Sequence, residues 1–75
     1  MPTHKNQELL KKFGARVRQA RLEAGISQES LADLASVHRT YIGMIERGEK
    51  NITLVTMSNL ANALKLELID LLKEL

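Results

Sequence analysis

Cysteine is absent from the 75 residues, and Phe13 and Tyr41 are the only aromatic residues. Without cysteine there is neither a disulfide framework nor a thiolate metal site. With so little aromatic volume, the core must be built from Leu, Ile, Val, Ala and Met. No stretch approaches the ~20 consecutive apolar residues of a membrane span. Met1 to Gln7 is polar and has no hydrophobic signal-peptide segment. Strand signals are also missing, since no run alternates apolar and polar residues with β-branched enrichment. The length predicts one domain over residues 1–75, near the lower limit of what folds alone, burying about 60% of its unfolded surface. That excludes a nucleotide-binding α/β domain, a barrel enzyme and a regulator with a separate ligand-sensing domain.

What is present is charge with an uneven distribution. The net charge of +2 comes from 11 basic and 9 acidic residues. Residues 1–50 hold nine Lys/Arg and six Asp/Glu, and residues 51–75 hold two and three. Lys11, Lys12, Arg16, Arg18 and Arg21 crowd one stretch of eleven residues. Such a block reads either as a nucleic-acid contact or as a solvated helix face.

Helical periodicity runs almost throughout. Leu9, Leu10, Phe13, Val17, Ala20 and Ala24 form one stripe, predicting a first helix over about residues 6–24, with Gly25 as its stop. Ser27 is an N-cap for a second helix reaching about Ala35, with Glu29 in its first turn and Leu31, Leu34 and Ala35 on its inner face beside Ala32. A third short helix runs from about Arg39 to Arg47 and stops at Gly48. Thr53 caps a fourth, with Leu54, Met57, Leu60, Ala61 and Leu64 inside. A fifth starts near Glu67. The fold class is therefore all-α, a compact five-helix bundle, and the two short middle helices suggest a helix-turn-helix over about residues 27–47.

The third helix divides cleanly. At 3.6 residues per turn, Arg39, Gly43, Arg47, Thr40 and Met44 fall within an arc of about 140°, while Tyr41, Ile45 and Ile42 lie opposite. Two arginines and a threonine around a glycine make a narrow, positive, hydrogen-bonding surface that suits a B-DNA major groove about 12 Å wide. Read without further context, it is equally an ordinary amphipathic helix with its arginines in solvent.

Three segments carry a resemblance: Gly25-Ile26-Ser27-Gln28-Glu29-Ser30-Leu31-Ala32, then Arg39-Thr40-Tyr41-Ile42, then Ile45-Glu46-Arg47-Gly48. With Leu60-Ala61-Asn62-Ala63-Leu64, they make the chain resemble the phage repressor/Cro-like (Xre-type) helix-turn-helix family over roughly residues 9–72. The Arg-Thr-Tyr-Ile version, followed by Asn51-Ile52-Thr53, is most similar to the controller proteins of restriction–modification systems. The resemblance implies a lambda repressor-like DNA-binding domain.

It also implies roles. His38, Arg39, Thr40, Gly43 and Met44 would face base edges, with Arg39 the strongest candidate because arginine bonds both O6 and N7 of guanine. Gln28, Tyr41, Arg47, Lys50 and Asn51 would hold phosphates, which set position rather than sequence. Gln28 would also brace the start of the third helix. Arg21 and Glu46 match a structural salt bridge between the first helix and the end of the third. Gly43 departs from the polar side chain usual there. Either it lets the backbone approach the groove, or it is an unfavourable residue carried by a packed helix. Met44 offers only apolar contact to a thymine methyl, so part of the specificity would rest on DNA shape. Ser36 and Lys65 stand where relatives commonly have glycine and add strain if the backbone is left-handed there.

No metal or cofactor is expected. His4 and His38 lie in different elements with no second ligand nearby. No enzyme signature is present either, and no small-molecule ligand is expected. Leu68, Ile69, Leu71, Leu72 and Leu75 give an apolar surface wider than one packed stripe needs, predicting dimerisation through residues 66–75. The expected function is a sequence-specific transcriptional regulator binding double-stranded DNA as a homodimer on a pseudo-palindromic operator. Control of restriction–modification genes would follow from the resemblance. If it activates, RNA polymerase is a further partner. The alternatives are a helical protein-interaction module that does not read DNA, or a repressor or antitoxin-like regulator of another operon. The expected location is the cytoplasm, at the nucleoid.

Overall fold

A computed structural model describes residues 4–75. Expectations that fall on residues 1–3, including part of the polar N-terminus, and on the His4 side chain lie outside it. Five helices follow in order: α1 (His4–Glu23), α2 (Gln28–Ala35), α3 (Arg39–Glu46), α4 (Leu54–Ala63) and α5 (Leu68–Leu72). The described residues contain no strand, and no helix is long and apolar enough to cross a membrane. The expected all-α bundle is the architecture found.

Local chemistry sets the helix starts. Ser27 Oγ accepts the Ser30 N–H at 3.0 Å, and Thr53 Oγ1 accepts that of Thr56 at 3.1 Å, so each satisfies an orphan donor. His38 is an unforeseen cap: its Nδ1 accepts the Thr40 N–H at 3.1 Å. Before α5, the Asp70 carboxylate accepts the Glu67 N–H at 2.9 Å.

One device ends four helices. The bonds Ile26 N–H to Arg21 O, Val37 to Ala32, Glu49 to Met44 and Leu66 to Ala61 each close a six-residue loop. Each loop turns through a left-handed residue, at Gly25 (φ +72°), Ser36 (φ +60°), Gly48 (φ +74°) and Lys65 (φ +59°). The backbone at Ser36 and Lys65 is thus left-handed, the condition for strain stated above.

The core joins Phe13 and Val17 of α1 with Leu31, Ala32 and Ala35 of α2 and Ile42 and Ile45 of α3. Leu60 and Ala61 of α4, Leu64 and Leu71 of α5 complete it. α2 packs on α3 and α4, and α1 packs on α3 and α5. Arg16 also ties α1 to α5: its Nη1 donates to the carbonyls of Asp70 at 3.1 Å and Lys73 at 2.9 Å. Cations at a helix C-terminus both bond its orphan carbonyls and meet its negative dipole end.

Four expected core assignments are corrected. Leu34 is 62% exposed, because the buried arc of α2 runs through Leu31, Ala35 and Ala32 and excludes it. Leu54 is 62% exposed at the first position of α4, where the opening turn projects past its neighbours. Leu9 is 50% exposed and Ala24 is exposed, although both lie on the expected stripe. At 20 residues α1 is about 30 Å long and overhangs the core at both ends.

Gly14 decides how α1 meets α3. A Cβ there would collide with the carbonyl oxygens of Ile45 and Glu46. Its absence lets the two backbones touch, and the only sequence signal is a glycine inside a helical pattern.

Candidate nucleic-acid interface

The isoleucines of α3 point inward with no exposure, so the opposite face must point out. Arg39 and Thr40 are exposed and Met44 is half-buried. Lys50 and Asn51, in the loop after α3, are exposed too. Tyr41 is half-buried and packs against the core. The sequence-derived surface is thus brought together around one short helix.

Beneath it lies a polar lock. Arg21 Nε donates to Glu46 Oε2 at 2.7 Å and Arg21 Nη2 to Oε1 at 3.1 Å. Gln28 Nε2 donates to the same Oε1 at 3.1 Å, and Arg21 Nη1 reaches the Ile26 carbonyl at 3.0 Å. The Arg21 side chain is 9% exposed and that of Glu46 3%. Hydrogen bonding to Glu46 holds the Arg21 pKa above its ordinary value; burial acts in the opposite direction and is outweighed with the help of the Glu46 charge. Three elements therefore meet on one carboxylate: α1 through Arg21, the start of α2 through Gln28, and the end of α3 through Glu46 itself. The lock fixes α3 relative to α2, which a helix of eight residues could not do alone. Gln28, expected to touch phosphate and brace the start of α3, instead braces its end, because its amide reaches the Glu46 carboxylate.

At the entrance to α3, His38 accepts through Nδ1, which fixes the donor at Nε2. Arg39 Nη1 lies 3.3 Å from Glu29 Oε2, with the two side chains 68% and 67% exposed. An exposed pair of this kind is worth ~0.2–1 kcal/mol. A bidentate arginine–guanine contact is worth ~1–3 kcal/mol of discrimination, so the guanidinium is free to exchange partners. Glu29 as partner of Arg39 was not foreseen, because the ten-residue separation crosses a turn whose geometry the sequence does not reveal.

Gly43 is buried, contrary to its expected place on the open reading face. Arg47 covers it: a Cβ on Gly43 would stand 3.1 Å from Arg47 Nη1 and 3.8 Å from the Gln28 amide oxygen. Arg47 Nε also donates to Glu49 Oε2 at 3.0 Å.

The expected dimer surface divides. Leu71, expected at the interface, has no exposure and belongs to the core, since the inner side of α5 must seat against α1 and α4. Leu68, Leu72 and Leu75 are half-buried, and Ile69 is 61% exposed. Val55 of α4, 70% exposed, is an apolar surface residue that the sequence reading missed, because its side chain follows the inward-read Leu54 in an unbroken apolar pair. Among the described residues no group of three or more His, Asp or Glu side chains could hold a metal ion.

The family model described as Helix-turn-helix (HTH_3) matches residues 17–71. The control protein C.BamHI of Bacillus amyloliquefaciens is 46% identical over 61 residues, 80% of this chain and 75% of that protein. The control protein C.SmaI of Serratia marcescens is 52% identical over 48 residues, 64% of this chain; the match spans 57% of that relative's length. Among solved structures, the restriction-modification controller protein C.AhdI from Aeromonas hydrophila superposes with a TM-score of 0.82 at 47% identity. That superposition covers 83% of this chain and 94% of the other.

Proposed function

Because this chain belongs to the helix-turn-helix (HTH_3) family of transcription regulators, we propose that it controls restriction–modification gene expression by sequence-specific binding of double-stranded DNA. It acts as a homodimer on a pseudo-palindromic operator, and no step of its action is enzymatic. The observation that carries this reading is the face of α3, where exposed Arg39 and Thr40 are backed by buried Ile42, Ile45 and the Arg21–Glu46 lock. A protein-interaction module has no need of an exposed arginine displayed on a rigidly held helix at that place.

In this reading Arg39 and Thr40 enter the major groove, with Met44 against a thymine methyl and His38 Nε2 at the groove edge. Gln28, Tyr41, Lys50 and Asn51 lie around them as phosphate contacts. Ile69 and the half-buried Leu68, Leu72 and Leu75 form the dimer surface, with exposed Val55 and Leu54 extending the apolar area available to it. A two-fold dimer sets the two copies of α3 one helical turn of DNA apart, about 34 Å. Occupancy then depends on protein concentration twice over, through dimerisation and through binding, so the protein's own level is the switch. Where it activates, RNA polymerase is its second partner. The place of action is the cytoplasm, at the DNA.

Equilibrium binding to operator and random duplexes across a salt series tests the reading. DNA binding weakens linearly with log[salt], with a slope of about −0.9 per phosphate neutralised. Binding that does not respond to salt, or no binding to duplex at all, rejects it.

A further inference from the structure

Gly43 and Arg47 sit one helical turn apart on the exposed side of α3, and the glycine is buried because the arginine lies over it. Arg47 itself is the C-cap residue of α3, at the end of the helix remote from its groove-entering start. Residues near the start of a recognition helix supply most base contacts, and those near its end lie towards the backbone. From its Cα alone, Arg47 would be a phosphate contact. Its guanidinium, however, is not where its Cα is. Side chains on a helix lean towards the N-terminus, and this one doubles back a full turn, about 6 Å along the axis. Nη1 comes to 3.1 Å from the place where a position-43 Cβ would stand.

Two details give the guanidinium a use there. Glu49 engages its Nε edge at 3.0 Å, which leaves the end-on Nη1/Nη2 edge for a ligand. That fork is a donor pair of the kind that matches O6 and N7 of guanine. In addition, nothing else fills this part of the reading face: residue 43 has no side chain, and Met44 has no hydrogen-bonding donor.

We propose that Gly43 is a notch that seats the Arg47 guanidinium on the reading face of α3, and that Arg47 reads a guanine there. Arg47 is then a second specificity-determining arginine beside Arg39, and Gly43 is the positioning residue that makes it one. The proposal rests on the reading of this chain as a DNA-binding regulator. It resolves the cost of a mid-helix glycine, ~1 kcal/mol relative to alanine, as the condition for bringing a longer side chain into that space.

The test compares wild type, Arg47→Ala, Arg47→Lys and Gly43→Ala. Each is titrated against the selected operator, single-base variants of it, and a random duplex. Thermal melting confirms folding; Gly43→Ala meets only the end of a flexible side chain and adds helix propensity. Arg47→Ala is expected to lose roughly 5- to 150-fold on the operator and to flatten the preference at one guanine distinct from that of Arg39, with a much smaller loss on random DNA. Arg47→Lys does not restore that preference, because an ammonium lacks the fork. Gly43→Ala displaces Nη1 by a few tenths of an ångström, so it weakens the preference at the same base by less than Arg47→Ala does and leaves the Arg39 position intact. Equal loss by Arg47→Ala on operator and random DNA, recovered by lysine, makes Arg47 a phosphate clamp and overturns the proposal. So does a Gly43→Ala protein with an unchanged preference at every base. A wild type with no sequence preference overturns the underlying reading as well, and is told apart by that control.

Discussion

Glu29 and Arg39 hold one another across the turn between α2 and α3, Oε2 to Nη1 at 3.3 Å, with both side chains about two-thirds exposed. The pair joins the strongest base-reading candidate to a carboxylate on the surface that would meet phosphate. Replacing Glu29 by Gln should therefore tighten DNA binding about 2- to 5-fold, by releasing Arg39 from a pair worth ~0.2–1 kcal/mol and removing a repelled charge. The cost in stability should be under ~1 kcal/mol, the worth of one acidic residue in a helix's first turn. Fluorescence anisotropy against operator DNA checks it. Weaker binding would mean that Glu29 orients Arg39 in the complex.

The Arg21–Glu46 lock should be intolerant of single truncation. Glu46→Ala leaves a buried guanidinium without its counter-charge and should cost about 3–5 kcal/mol. Pairing Arg21→Met with Glu46→Leu should recover much of that loss, since no charge is then stranded. Urea denaturation of the four proteins in the cycle measures both. The pH sense follows from the raised Arg21 pKa: the arginine's contribution is complete below its ordinary value and is lost only as pH rises through the still higher folded value. Alkaline titration within any usual working range should leave it untouched.

Ser36 and Lys65 occupy the same left-handed turn position as Gly25 and Gly48. Ser36→Gly and Lys65→Gly should each stabilise the fold by about 1 kcal/mol, read as a higher urea midpoint with unchanged slope. The glycines give the converse. At Gly25 an added Cβ meets nothing within 4 Å, so Gly25→Ala bears only the conformational cost of ~1–2 kcal/mol. At Gly48 the Cβ would also stand 2.8 Å from the Lys11 backbone, so Gly48→Ala should be the more damaging of the two.

Arg16 should govern α5. Arg16→Met keeps the apolar stem and removes two bonds to the Asp70 and Lys73 carbonyls. Faster amide exchange confined to α5 is expected, with a stability loss of ~1–3 kcal/mol. Because Ile69 is displayed from this helix, the proposed dimer should loosen in parallel, measured by sedimentation equilibrium. Uniform exchange changes across all helices would contradict a local clamp.

Helix existence, order and the caps of α2 and α4 were legible in the sequence because periodicity, Ser27, Thr53 and the turn glycines each signal locally, whereas the His38 cap of α3 was not. The Arg21–Glu46 pair was legible only through resemblance: its partners are 25 residues apart and no local rule joins them. What escaped depended on the third dimension. Leu34, Leu54 and Leu9 were read inward because periodicity gives a face but not how far the neighbouring helices extend along it. Leu71 was placed at the dimer surface because a five-residue helix rich in leucine does not reveal which side seats against α1. Gly14 carried no visible role and Gly43 was read as open to the groove, since each matters through the atom that enters the space it leaves.

If α3, held by the lock, reads DNA as one half of a two-fold pair, the operator must carry that symmetry. In vitro selection from a random duplex pool with the wild-type protein tests it most directly. The expected enrichment is of two inverted half-sites, each containing a guanine whose preference disappears in Arg39→Ala, with centres about 10–10.5 base pairs apart or a multiple of that. A pool that stays random, or one enriched equally by wild type and Arg39→Ala, would contradict it.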